Sequence, residues 1–161
     1  MTSVLFTNVR IIDGTGAQPY AGEVLIQGNR IARIGRGARS LPTAGVTVID
    51  GAGATLMPGM VEAHTHFSWN DAAGLSDLQR MPLEEHVLWS ATAWGGPMMK
   101  LGKQIGYIRE GCLADILLID GDPLADITVL QDKARILAVM KDGEFHRAPP
   151  GRSARTTRWA A

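Results

Sequence analysis

The chain has 161 residues, enough for one domain with a small appendage, and its 45% hydrophobic and 20% charged content is that of an ordinary core-forming protein. Sixteen basic and sixteen acidic residues cancel, so no global field argues for nucleic acid or a membrane as partner. A single cysteine, Cys112, excludes an internal disulfide framework and reads as a small buried apolar residue in a reducing compartment, since no catalytic cysteine motif surrounds it. The first ten residues lack a charged segment followed by an apolar one, and no run approaches the roughly eighteen apolar residues of a membrane span. The expectation is a cytoplasmic protein.

Val4 to Ile12 (VLFTNVRII) is β-branched and partly alternating, which predicts a strand ended by the turn residues Asp13-Gly14-Thr15-Gly16. Glu23 to Gln27 and Arg30 to Ile34 flank Gly28-Asn29, a pair that closes tight hairpins. Polar Gln27, Asn29, Arg30 and Arg33 alternate with Ile26, Ile31 and Ile34, so one face of this sheet is wet. Val46 to Asp50 is a further strand, and Gly51-Ala52-Gly53 is a flexible lead into the Pro58-Gly59 segment. These fifty-odd residues form an antiparallel meander without a titratable cluster, and their expected role is support.

Met57-Pro58-Gly59-Met60-Val61-Glu62-Ala63-His64-Thr65-His66-Phe67 reads as a Pro-Gly turn feeding a short apolar strand. Strand side chains alternate with period 2, so His64 and His66 point the same way, roughly 7 Å apart at Cα, and both rings can reach one divalent metal. The alternative is a pair of polar histidines at a strand end. Ser68 to Arg80 is loop-like, and Met81 to His86 opens a helix with Pro82 near its first turn and Glu84 and Glu85 where the macrodipole favours acids. Leu83, Val87, Leu88, Ala91 and Met98 recur near the helical period, and Gly95-Gly96-Pro97 must break it. His86, with no second ligand at i+4, is expected to face solvent or cap rather than bind metal.

The last third returns to β: Gly106 to Gly111 as a short strand, Ala114 to Asp120 as an apolar one, and Gly121-Asp122-Pro123 as a turn. Leu124 to Asp132 is irregular or helical, and Arg135 to Lys141 is joined to Glu144 to Arg147 by an Asp142-Gly143 hairpin. The spacing of Asp115, Asp120, Asp122 and Asp126 fits turn chemistry better than a cation loop. The basic tail, Arg147, Arg152, Arg155 and Arg158 among Pro149, Pro150, Gly151 and Ser153, cannot bury a core and reads as a disordered extension.

LMPGMVEAHTHF resembles the first barrel strand of the amidohydrolase superfamily of metal-dependent hydrolases, whose usual form is P-G-[LMF]-[IV]-[DE]-x-H-x-H. SATAWGGPMMKLGKQIGYIREGCLADILLIDGDPL is similar to the helix after the last barrel strand and the returning segment G-x-[IL]-x-x-G-x-x-A-D-[LI]; AVMKDGEFH is similar to the closing hairpin. AHTHFSWND resembles the imidazolonepropionase and Xaa-dipeptidase branch. The resemblance implies a fold that is mainly β, a composite β-sandwich of amino- and carboxy-terminal segments with a remnant strand and helix of a TIM-like barrel. The expected domains are residues 1–60 and 104–147 as sandwich, 61–103 as barrel remnant and 148–161 as tail.

A βα barrel takes about 250 residues and at least about 200, yet about forty lie between His66 and the return to the sandwich. The resemblance therefore implies an internally shortened chain, joined near residue 90. The family's bridging lysine, two further histidines and acid on the last strand have no counterpart: Lys100 and Lys103 follow no strand end, His86 and His146 lie in other contexts, and Asp71 and Asp77 belong to a loop. By resemblance, His64 and His66 are metal ligands, the cofactor is one or two zinc ions held weakly here, and the catalytic and substrate-binding residues are unassigned. Two functions are consistent with this. One is hydrolysis of C–N bonds in small amides, cyclic amides or dipeptides, impaired by the shortening; the other is a non-catalytic sandwich with at most a self-association or binding role. Loss of barrel cover implies a homo-oligomer, with no nucleic acid or membrane partner.

Overall fold

The computed structural model describes residues 3–60, 82–93, 101 and 104–150. The chain is mainly β: among the described residues there are eight strands in one sheet and a single α-helix. The strands are β1 (Ser3–Ile11), β2 (Tyr20–Gln27), β3 (Arg30–Arg36), β4 (Thr47–Asp50) and β5 (Thr55–Pro58), then β6 (Ile116–Ile119), β7 (Ile136–Lys141) and β8 (Glu144–Arg147). The helix α1 spans Leu83–Ala91, and a 3₁₀ turn covers Ile127–Gln131. The order across the sheet is β3-β2-β1-β5-β6-β7-β8, with β4 also paired to β1.

Two antiparallel meanders, one from each end of the chain, are joined at β5. This strand runs parallel to β1 (Ile11 opposite Leu56) and antiparallel to β6 (Leu56 opposite Leu118). All four of its residues are buried, because both sheet faces are covered there. The expected Pro58-Gly59 turn is instead the end of this ladder: Pro58 pairs with Ile116, and the Gly59 N–H donates to the Asp115 carbonyl at 2.8 Å. β1 can serve two parallel partners because it is bulged. Val4 to Thr7 face β4 and Arg10 to Ile11 face β5, and between them Asn8 adopts φ 50°.

Side-chain alternation divides the core. Leu56, Ile116 and Leu118 join Val4, Phe6, Ile11, Ile26, Ile31 and Met140 in the sandwich interior, whereas Met57 and Ile119 turn outward to Ile12, Leu88 and Val129. The second cluster is the seat of α1. The sheet also curls so that its distant ends meet. Ile31 N–H donates to Cys112, Gly111 N–H to Ile31 and Ala114 N–H to Asn29, each at 2.9 Å. Gly106 to Gly111, expected as a strand, is thus an irregular segment tied to β3 by such single bonds, including Ile34 N–H to Glu110 Oε1 at 3.0 Å and Arg30 Nη1 to the Gly111 carbonyl at 2.7 Å, with an Arg30–Leu113 bridge just beyond it. The hairpin turns abut as well: Asn29 Nδ2 donates to Asp142 Oδ1 at 2.9 Å, and a Cβ on Gly143 (φ 75°) would stand 2.1 Å from the Gly28 carbonyl oxygen.

Candidate functional site

β5 leads in sequence toward the two histidines singled out above, but His64 and His66 lie outside the described residues, as do Lys100, Lys103, Asp71 and Asp77. His86 is within α1 and corrects its expectation. It is half-buried, and among the described residues its Nε2 is enclosed without a hydrogen-bond partner, as is Ser90 Oγ one turn later, so that nitrogen neither faces solvent nor caps a backbone group. His146 is exposed on β8.

Three of the four aspartates do turn work. Asp115 Oδ1 accepts from Asp142 N–H at 2.6 Å, Asp122 Oδ1 from Leu124 N–H at 3.0 Å, and Asp126 Oδ1 from Thr128 N–H at 2.9 Å. The Thr128 hydroxyl and N–H hold the Asp126 carboxyl below its ordinary range. Among the described residues, no three His, Cys, Asp or Glu side chains form a group that could hold a metal ion. The residues that the resemblance assigns to the metal centre, His64 and His66, lie outside that set.

The described residues do form a cleft. α1 begins at Pro82 without a side-chain cap and ends at Thr92, whose hydroxyl donates back to the Leu88 carbonyl at 2.7 Å. Backbone packs on backbone at its end: Gly106 (φ 81°) lies so near that a Cβ would stand 2.2 Å from the Thr92 carbonyl oxygen, and one on Gly14 would stand 2.3 Å from that of Gly106. Leu88 drops between Met57 and Ile12, leaving a cleft of about 260 Å³ between helix, sheet and the 14–19 loop. Arg10 from β1 and Asp122 from the turn after β6 form an ion pair there, each side chain 36% exposed. Glu85 and Trp89, one turn apart on α1, line the opposite wall. Nothing in the sequence marked these four, because they come from three distant segments; the i,i+4 spacing of Glu85 and Trp89 was the one available signal.

Beside the cleft, Tyr20 packs under the Arg36 guanidinium, 3.9 Å from ring centre to Cζ. Burial first, and then the Asp13 charge, push its phenol up against the opposing Arg36 charge.

The sequence profile of the Amidohydrolase family matches residues 72–145. A 5′-deoxyadenosine deaminase from Methanothermobacter thermautotrophicus is 40% identical over 111 residues, covering 66% of this chain and 25% of that protein. The chain belongs to the amidohydrolase superfamily. A 5-methylthioadenosine/S-adenosylhomocysteine deaminase from Thermococcus kodakarensis is 32% identical over 114 residues, with 68% and 26% covered. This amidohydrolase chain therefore spans about a quarter of the length of the curated relatives it matches. Those relatives are deaminases, and the expected imidazolonepropionase and Xaa-dipeptidase branch is not among these two. A crystal structure of an amidohydrolase superposes with a TM-score of 0.76 at 10% identity, covering 92% of this chain and 100% of that one. A prolidase crystal structure gives 0.72 at 11% identity, covering 91% and 100%. At such identities the likeness shows the fold alone.

Proposed function

We propose that this amidohydrolase chain is a non-catalytic sandwich portion of a C–N hydrolase of deaminase ancestry. Hydrolysis of small C–N substrates, of the nucleoside-deaminase rather than the dipeptide kind, is the lineage's chemistry and is impaired here. The observation that carries this reading is internal arithmetic. About forty residues separate His66 from the sandwich's return at Gln104, against at least about 200 for a closed barrel. One βα unit of roughly thirty residues fits that interval, and seven more do not.

In this reading His64 and His66 are a surviving pair of metal ligands. Two imidazoles leave a zinc site short of the three protein ligands that a catalytic site usually holds, so retention is weak. What the chain's own residues do well is scaffold: β5 and β6 splice the two meanders, and α1 seals the outer cluster. On this view residues 61–103 are the barrel remnant and 148–161 a tail.

Metal analysis after zinc loading and desalting, alongside a deamination assay on 5′-deoxyadenosine, tests the proposal. The expected outcome is zinc well below one per chain and no turnover above the buffer rate, unchanged in His64→Ala/His66→Ala. Zinc near one per chain with turnover abolished by His64→Ala would overturn it.

A further inference from the structure

We propose that the cleft between α1 and the sheet binds a compact organic cation, a tertiary or quaternary ammonium, through Glu85, Trp89 and the carboxylate of Asp122. This goes beyond the superfamily reading and does not rest on it, since Glu85, Trp89 and Asp122 are not residues that reading invokes.

Charge decides the ligand class. Among the described residues, the charged side chains lining the cleft are Arg10, Glu85 and Asp122, one cation against two carboxylates. Arg10 is already paired with Asp122, so no free guanidinium is left to hold an anion. Among the described residues Glu85 has neither a hydrogen-bond nor an ion-pair partner, which leaves their charges in the cleft with one unmatched carboxylate. Its helical neighbour Trp89 brings the aromatic side chain that attracts cations most strongly. Ile12, Met57 and Leu88 supply an apolar floor for the ligand's carbon atoms. The volume of about 260 Å³ lies just below the roughly 300–1,000 Å³ of ordinary small-molecule sites, which selects a compact ligand. A carboxylate and an indole above an apolar floor suit an ammonium better than a hydrated metal ion, which needs several oxygen ligands.

The test is an amide NMR titration of the full chain with choline and, in parallel, with its neutral isostere 3,3-dimethylbutan-1-ol. Choline is expected to give saturable shifts centred on Gly14, Gly16, Glu85 and the Trp89 indole, and the neutral compound to bind about tenfold more weakly. Glu85→Gln keeps the side chain's shape on a helix surface and should weaken choline about tenfold with the remaining spectrum unchanged. Arg10→Gln leaves Asp122 unmatched and should tighten choline binding. The proposal is overturned if choline shifts fail to saturate, if the neutral isostere binds equally well, if Glu85→Gln binds like the parent, or if sulfate perturbs the same residues in choline's place.

Discussion

Glu23 sits within β2 with only 3% of its surface exposed, a placement that an ionised carboxylate tolerates only when fully hydrogen-bonded. It is: Arg39, Ser40 and Leu41 N–H groups donate to it at 2.9 Å, and the Ser40 hydroxyl at 3.0 Å. Burial pushes its carboxyl up, but the donors at Leu41, Arg39 and Ser40 together outweigh burial and hold it below its ordinary value of 4.5. The bonds also pin Leu41 onto Leu5 and Leu25, closing a small third core. Glu23→Ala strands these donors and should cost about 2–4 kcal/mol in urea unfolding, and Glu23→Gln about half that. A lowered folded-state value means the contribution is complete above about pH 4.5 and is lost as pH falls through the folded value. Glu23→Gln should therefore flatten the acid limb of the stability curve, and an unchanged acid limb would show that the carboxylate is not the pin. By contrast, the Arg10–Asp122 pair, 36% exposed on both sides, adds only about 0–1 kcal/mol.

At the scale of elements, the meeting of the two hairpin turns makes the fold sensitive at Gly143. Its φ of 75° and the 2.1 Å approach of the Gly28 carbonyl oxygen leave a side chain neither a conformation nor a place. Gly143→Ala should lose about 2 kcal/mol or more, read as a lower urea midpoint, whereas the same change at Gly45 (φ 74°), which has open space, should lose only the conformational part of about 1 kcal/mol. Equal losses would mean that the turns do not touch in solution. The Asp142-Gly143 and Gly28-Asn29 hairpins were legible in the sequence because their dipeptides state a backbone geometry locally. β5 was not. Leu56 and Met57 serve different clusters and are both buried, so the two-residue alternation that marks a half-wet strand is missing, and Pro58-Gly59 imitates a turn. Gly106 to Gly111 erred the other way: it has strand-like residues, but its backbone partners are single bonds, Ile108 N–H to Asp13 and Gly111 N–H to Ile31, that only the tertiary fold creates. The cleft was illegible for a similar reason, since Arg10, Glu85 and Asp122 converge through tertiary packing alone.

At the scale of the whole molecule, the interior and the surface differ in completeness. The sandwich closes on itself through β5 and through the meeting of its hairpins, yet Leu83 at the start of α1 is 65% exposed and Met60, where the chain leaves β5, is 47% exposed. Isolated exposed apolar residues are common, but Leu83 opens the only α-helix among the described residues, Met60 follows the strand that joins the two meanders, and Leu101 is exposed too. In relatives four times as long, more chain is available to cover such positions. Here a second copy can do so, and we predict association into dimers or larger species. Because association stabilises by mass action, the melting temperature should rise with protein concentration, and light scattering should give a mass above 17.3 kDa. Leu83→Lys with Met60→Lys should return the mass to the monomer value and remove the concentration dependence, while melting of the dilute protein stays within about 0.5 kcal/mol of the parent because both sites are exposed. A parent that is monodisperse at the monomer mass and binds no hydrophobic dye would show that the shortened chain covers its own surface.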